Sequence, residues 1–254
     1  MVNSFQGTPT QSDVIDKSIS HALDHVHTCL PGSVITFDSK QRAQIKVGLK
    51  RMVGDSVIEY PPCINVPVIF GGTQQWSVFH EVKEGDEGIL VFSERAADSW
   101  KQQGGTQSPF DCRSFSMSDA YFIPGARPDT QAFPALPNSG IGMTSKSNDV
   151  QLHLKESEAF MHKGQTSVSL TDSSAVVKRG AVSATLTDQA ITTTIGASSI
   201  TSTAEAVTIV AGGQTLIIGP AGIIHNGVNI GATHVHSQKP DFGGDKQNDT
   251  EVPH

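Results

Sequence analysis

The chain has 254 residues, of which 37% are hydrophobic and 17% charged, and it carries a formal net charge of −7. This composition excludes both a charge-rich disordered chain and an integral membrane protein, and the negative charge without a basic cluster excludes nucleic acid as an electrostatic partner. No run approaches the roughly 18 apolar residues of a membrane-spanning helix, and the N-terminus lacks the basic-then-apolar layout of a signal peptide, so we expect assembly in a cytosol.

The first predicted element is a helix within an N-terminal arm that covers residues 1–28. Residues 12–27 place apolar side chains at three-and-four spacing along one face, which is typical of an amphipathic helix. Ser12 is a candidate N-cap, and Pro31 with Gly32 would stop the helix. The stripe consists of Val14, Ile15, Ile19, Ala22, Leu23 and Val26. Such a stripe needs a partner surface that buries it.

The next predicted element is a compact antiparallel β-domain over residues 29–125. Here the sequence consists of short alternating segments separated by Gly, Pro, Asp and Asn. Five or six strands in about 90 residues fit a small barrel such as an OB-fold better than a sandwich, which usually has more strands at regular spacing.

A second architecture is predicted after a proline- and glycine-rich linker, residues 126–148. Over residues 149–228 small apolar residues alternate with Thr and Ser, and Phe160 is the only aromatic residue. The sequence SVSLTD at residues 167–172 is followed sixteen positions later by SATLTD at residues 183–188. Short repeats of this kind are typical of a β-helix or an intertwined β-prism, in which each rung buries one face against the next.

This predicted shaft needs more than one copy of the chain. A single copy would leave its strand edges uncovered and has too little apolar bulk to cover them. Three chains closed around a threefold axis would pair the edges and bring Val, Leu and Ile from each chain into one thin core. The sequence therefore predicts an all-β homotrimer with a short N-terminal helix, and a monomeric solenoid is the alternative.

Sequence signals for catalysis are absent, since the chain has no Gly-x-Ser-x-Gly elbow, phosphate-binding loop, His-Glu-x-x-His or nucleotide-binding glycine fingerprint. Acidic pairs such as Glu81 with Glu84 fall in a turn-rich stretch, where solvated carboxylates are the simpler interpretation than a glycosidase dyad. The cysteines are odd in number and widely spaced, which predicts neither a disulfide framework nor a metal site. We expect a protein that is not an enzyme.

The candidate metal ligands are His234 and His236, in a predicted apex that covers residues 229–254. In an extended strand residues i and i+2 point to the same side. On a threefold axis such pairs would form a cage of six imidazoles, an octahedral set that suits a first-row transition metal. Iron is the first choice, with one ion per trimer. Structural zinc prefers four ligands in a tetrahedron, nickel is compatible with the geometry, and ordinary surface polarity is the alternative for a lone His-x-His.

A second histidine pair, His25 and His27, has the same spacing. It falls near the end of the predicted helix, where residues two positions apart point in different directions. We therefore interpret this pair as structural.

The chain resembles the membrane-puncturing spike proteins of phage baseplates. The shared motifs of the N-terminal domain are His-Thr-x-x-Pro-Gly-x-Val at residues 27–34, Val-Pro-Val at 66–68, Gly-Asp-x-Gly at 85–88, Phe-Ser-Glu-Arg at 92–95, Asp-x-Trp at 98–100, and Asp-Ala before Pro-Gly at 119–125. The His-x-His near the end resembles the metal-binding tip of that family.

The resemblance implies an OB-fold that docks onto a baseplate hub protein, a trimeric β-helical shaft, and an apex in which His234 and His236 of all three chains hold iron. It also implies a virion protein at the tip of the tail baseplate, assembled in the host cytoplasm and driven through the host outer membrane by tail contraction. The alternatives are a trimeric β-helical tail spike enzyme that degrades cell-surface polysaccharide and the spike of a type VI-like secretion apparatus.

Overall fold

The structure is a computed structural model that describes residues 10–134, 136–232 and 234–251. The chain divides into two compact units, Met1–Ala132 and Phe133–His254. Strands dominate both units, so the predicted all-β class is confirmed. Parts of the predicted arm (residues 1–9), of the predicted linker (Ala135) and of the predicted apex (Thr233 and residues 252–254) lie outside the described residues.

The long helix, α1, spans Gln11–Leu23. Thr10 is its N-cap and forms a capping box, in which the Thr10 side chain accepts from the Asp13 N–H and the Asp13 carboxylate accepts from the Thr10 N–H. The predicted N-cap, Ser12, is therefore wrong, and the helix ends four residues before the predicted His27. None of the residues of α1 is buried. Within the described part of the chain, no helix is long and apolar enough to cross a membrane.

The first unit contains nine strands and a second short helix, α2, at Asp98–Gln103. The strands are Cys29–Phe37 (β1), Arg42–Val47 (β2), Lys50–Val53 (β3), Ser56–Glu59 (β4), Cys63–Pro67 (β5), Gly71–Gly72 (β6), Ser77–Val78 (β7), Glu87–Phe92 (β8) and Ala120–Pro124 (β9). Short 3₁₀ turns lie at Met117–Asp119 and Asp129–Gln131.

Five of these strands form one antiparallel sheet in the order β5-β2-β1-β8-β9. The two outer strands approach each other through a parallel bridge between Val68 and Phe122, and the Ile69 N–H donates to the Phe122 carbonyl at 2.8 Å. A five-stranded, partly open barrel closed in this way has the architecture of an OB-fold. The hairpins β3-β4 and β6-β7 are inserted into it as separate two-stranded sheets.

The core of the first unit lies inside this barrel. Ile45, Leu90 and Phe122 have no exposed surface. Gly88 is required beside them, because a Cβ at this position would lie 2.5 Å from the Phe122 ring. Of the three free cysteines, Cys63 is part of this core, whereas Cys29 and Cys112 are exposed.

The second unit is one antiparallel sheet in which each strand pairs with the next along the chain. Its strands are Ile141–Thr144 (β10), Val150–Leu154 (β11), Ala159–Lys163 (β12), Thr166–Leu170 (β13), Ser174–Arg179 (β14), Val182–Thr187 (β15), Ala190–Ile195 (β16), Ser198–Thr203 (β17), Val207–Ala211 (β18), Gln214–Gly219 (β19), Gly222–His225 (β20) and Val228–Asn229 (β21). Strand β10 begins within the predicted linker, residues 126–148, and already belongs to the sheet.

Four tight turns along one edge of this sheet follow one another at intervals of sixteen residues. Each begins with a glycine whose φ lies between 57° and 58°, a left-handed conformation in which other residues are strained. These glycines are Gly164, Gly180, Gly196 and Gly212. Successive turns are also linked, since the N–H of Gly180 donates to the carbonyl of Gln165, and that of Gly196 to the carbonyl of Ala181.

Three turns along the opposite edge follow the same sixteen-residue period. Each begins with a threonine whose hydroxyl accepts from the N–H three residues later, at 3.1 Å in every case. The threonines are Thr171, Thr187 and Thr203. A side chain that replaces a backbone acceptor in this way fixes a short turn. The repeat in the sequence therefore corresponds to one hairpin with one turn at each edge of the sheet.

Candidate functional site

The sheet of the second unit has two chemically different faces, because alternate residues of a strand point to opposite sides. One of them, here called the apolar face, has a central row formed by cross-strand partners from β10 to β21. The row consists of Met143, Leu152, Met161, Val168, Val177, Ala184, Thr193, Ile200, Ile209, Leu216, His225 and Val228. The opposite face is rich in hydroxyl groups, as in the pairing of Thr192 with Thr201.

The apolar face is open to solvent in the single chain. Ile195 is 66% exposed and Ile200 is 49% exposed, whereas Thr192 and Thr194 on the opposite face are only partly exposed. A continuous exposed apolar surface marks a site of association, because its burial removes apolar area from water. The apolar face is therefore the candidate association surface of the second unit.

The candidate ligands His234 and His236 lie beyond the last strand, in a segment without regular structure. The structure nevertheless brings their rings together, with centroids 5.0 Å apart and ring planes perpendicular. The Nδ1 atom of His234 lies 2.5 Å from the Gly231 carbonyl oxygen. Since a carbonyl can only accept, Nδ1 carries the proton, and Nε2 is the nitrogen that presents a lone pair.

The C-terminal tail returns to this histidine pair. The Thr250 hydroxyl accepts from the His236 N–H at 2.8 Å, and the Thr250 N–H donates to the His236 carbonyl at 3.0 Å. These two bonds hold both the N–H and the carbonyl group of His236. The tail therefore folds back over the segment that carries the histidines.

The histidine pair fits a transition metal in part. A ring nitrogen held by a backbone carbonyl is the usual arrangement behind a metal-bound imidazole, because it fixes the tautomer and the ring orientation. However, among the described residues of one chain, no three His, Cys, Asp or Glu side chains come together as potential ligands. A complete coordination sphere at this pair would need ligands from other copies of the chain.

The second histidine pair has a different environment. The ring of His27 packs against Tyr60 and Phe92 with centroids 5.7 Å and 5.8 Å apart. Burial, with smaller effects from His25 and Arg51, lowers the pKa of His27. The ring of His25 instead contacts His21, 4.8 Å away. These contacts favour the structural interpretation of the pair.

A buried ionic cluster in the first unit is not predicted from the sequence. Arg113 donates to the fully buried Asp119 at 2.7 Å and 3.0 Å, to Asp111 at 2.7 Å, and also to Asp98. The Ala97 N–H donates to the same Asp119 carboxylate at 2.8 Å. Ala97 and Asp98 lie at least 15 residues before Arg113 and Asp119 in the sequence, and no spacing rule connects them. The cluster ties α2 to the start of β9.

The fold and the sites together describe an all-β protein with a small barrel and a repetitive sheet. Comparison with protein families agrees, because residues 30–125 match the family model described as the Phage protein Gp138 N-terminal domain. The match begins inside β1 and ends one residue after β9, so it covers the barrel. A search of curated proteins finds no match. The family match supports a phage structural protein.

Proposed function

We propose that this chain is the central spike of a contractile phage tail, a non-enzymatic homotrimer at the tip of the baseplate that pierces the host outer membrane during contraction. The match of the barrel to a phage domain supports the phage context. The observation that carries the proposal is the apolar face of the second unit.

A trimer accounts for this face. The strands of one chain pair with each other, so further copies have no need to supply hydrogen bonds along the sheet. Three sheets that turn their apolar faces inward would form a β-prism, with Ile, Leu and Val in a closed core and hydroxyl groups outside. Such a prism is stiff and presents a surface without apolar patches, which suits an object that is pushed through a membrane.

The apex of the proposed spike is held by iron, one ion per trimer on the threefold axis, with His234 and His236 of each chain as ligands. Their rings already lie side by side, and the tail hydrogen bonds hold the segment in place. A metal that binds only to the assembled trimer stabilises it, since the binding free energy contributes to assembly. Three chain ends would thereby be fixed at one point.

The first unit of the proposed spike docks onto the baseplate hub protein. Its β6-β7 hairpin carries exposed aromatic side chains, with Trp76 79% exposed and Phe79 80% exposed. Aromatic residues of this kind are enriched in protein interfaces and dominate their binding energy. They give the unit a surface suited to a protein partner.

The proposal is tested by measuring mass and metal on the same purified sample, with light scattering and elemental analysis. We expect a trimer, and we expect His234→Ala with His236→Ala to remain trimeric while losing about one metal ion per three chains. The matched control is His21→Ala with His25→Ala, which removes another pair of rings in contact and should change neither quantity. A monomeric wild-type protein would refute the spike, and a double variant with full metal content would refute the ligand assignment.

A further inference from the structure

His225 stands at an unusual position in the second unit. It belongs to the central row of the apolar face, where Leu216 is its partner on one side and Val228 its partner on the other. Every member of this row is described, and His225 is its only titratable residue, with Thr193 as the only other polar one. His225 is exposed in the single chain, and its burial among apolar side chains in the proposed trimer would cost free energy unless the ring found a partner.

The backbone at His225 is held in a fixed register. The turn that follows has Asn226 and Gly227 at φ of 47° and 83°, the conformation of a tight two-residue hairpin. The Asn226 side chain accepts from the Thr215 N–H at 2.8 Å, and the Asn226 N–H donates to the Thr215 carbonyl at 2.9 Å. These hydrogen bonds join the residue after β20 to β19. The backbone position of His225 is therefore fixed by its pairing with β19 and with β21.

The apolar face of one chain gives His225 no charged partner. Its paired neighbours are Leu216 and Val228, and the flanking positions on this face are Gln214 and Ile218 of β19 and Ile223 of β20 itself. The charged side chains among the paired residues of this face are Lys163 and Arg179, both cationic and both far along the sheet. Among these paired residues no carboxylate lies opposite the ring, so a buried imidazole would need a partner from outside the face of its own chain.

We propose that His225 from three copies forms a second metal site on the threefold axis, separate from the site at His234 and His236, and that it binds a divalent transition metal through three neutral imidazoles. The inference rests on the proposed trimer, in which central-row residues of the three apolar faces meet. Three imidazoles with a water molecule as fourth ligand form the tetrahedral set that zinc and cobalt accept. Binding of the metal would offset the free-energy cost of burying the His225 imidazoles among apolar side chains.

The test uses the full-length protein produced in medium supplemented with cobalt, with elemental analysis, visible absorption and light scattering on each sample. The trimer of His234→Ala with His236→Ala should retain about one cobalt ion per three chains, with the intense absorption of a tetrahedral ion. Adding His225→Leu should remove this ion and its absorption. Leucine suits the row, since it is the residue at position 216, so the triple variant should still be trimeric.

The matched control is Thr193→Leu, which removes the other polar residue of the same row and should leave the cobalt content unchanged. A trimeric double variant without cobalt would overturn the second site and leave the spike proposal standing. Cobalt that persists after His225→Leu would also overturn it. A monomer in every sample would overturn both proposals together.

Discussion

Asp119 is the residue on which the ionic cluster of the barrel depends. Its side chain is 1% exposed, and it accepts hydrogen bonds from Arg113 and from the Ala97 N–H. Burial opposes ionisation of this carboxyl group, but the hydrogen bonds from Arg113 and Ala97 outweigh it and lower its pKa. Because the pKa is lower in the folded state, the stability that ionised Asp119 contributes is present at neutral pH and lost as the pH falls through that lowered pKa.

Asp119→Asn should destabilise the first unit by about 2–3 kcal/mol, because it leaves the partly buried Arg113 without its buried carboxylate partner. Chemical denaturation at neutral pH measures this loss. The same variant should lose less stability than the wild type on acidification, since one carboxyl group with a lowered pKa is gone.

The control for this prediction is Asp111→Asn, which removes another carboxylate bound to the same arginine. The Asp111 side chain is 44% exposed, so its loss should cost no more than about 1 kcal/mol. Equal losses in the two variants would contradict the central role of Asp119.

At this scale the sequence predicts residues whose role is local and fails for those whose role is tertiary. The sequence places His234 and His236 two positions apart, and their ring centroids lie 5.0 Å apart, although the segment is not the extended strand that the prediction assumed; their role as metal ligands stays a prediction. The true N-cap, Thr10, was also predictable, because Asp13 stands three residues later as a capping box requires. Asp119 could not be found in this way, since its partners come from α2 and from the loop before β9.

The sixteen-residue hairpin is the element from which the second unit is built. Its two turns use different chemistry, a left-handed glycine at one edge and a threonine hydroxyl at the other. Both devices are short-range, so each hairpin can fix its own register without help from distant parts of the chain. Because the register is set locally, the repeat is visible in the amino-acid sequence itself.

Gly196→Ala should destabilise the second unit by about 1–2 kcal/mol, because alanine is strained at the φ of 58° that this turn requires. No atom lies within 4 Å of the position that a Cβ would occupy, so the loss would come from the backbone alone. Gly196→Asn is the matched variant and should recover most of the stability, since asparagine tolerates this conformation. Thermal unfolding of both variants makes the comparison, and equal losses would contradict a conformational cause.

The helix α1 shows the limit of prediction for a single element. The amphipathic stripe was predicted, and the helix forms, but Ile15 and Ile19 are 50% and 53% exposed. Helix formation follows from local spacing and capping, whereas burial of the stripe requires a partner surface, which helix propensity does not specify.

At the scale of the whole molecule, the second unit is a sheet with its apolar side uncovered. Alternation of small apolar residues with Thr and Ser sets the two faces, because a one-residue slip in register would exchange them. The composition could predict that a partner is needed, since so little apolar bulk cannot close around itself. It could not predict that consecutive strands of one chain pair with each other, which leaves the faces of the sheet as the surfaces through which we propose that copies associate.

Ile200→Asp should prevent trimer formation, because it would place three carboxylates together in the closed apolar core. Ser199→Asp is the matched control, since the adjacent residue points to the hydroxyl-rich face and should leave the trimer intact. Light scattering of the purified variants measures this difference. In a phage that carries the chain, Ile200→Asp should also abolish plaque formation while Ser199→Asp preserves it. A trimeric Ile200→Asp protein would refute the inward orientation of the apolar face.

The length of the sheet also depends on how many copies of the sixteen-residue hairpin the chain contains. Neighbouring strands are about 4.8 Å apart, so each unit of two strands adds about 10 Å in the direction of the hydrogen bonds. Every hairpin carries its own two turns and repeats the same pattern on both faces. The addition or removal of one hairpin would therefore leave the ends of the sheet chemically unchanged. In the proposed spike, duplication or deletion of this short segment in the gene would therefore change the reach of the protein and match it to a cell envelope of different thickness.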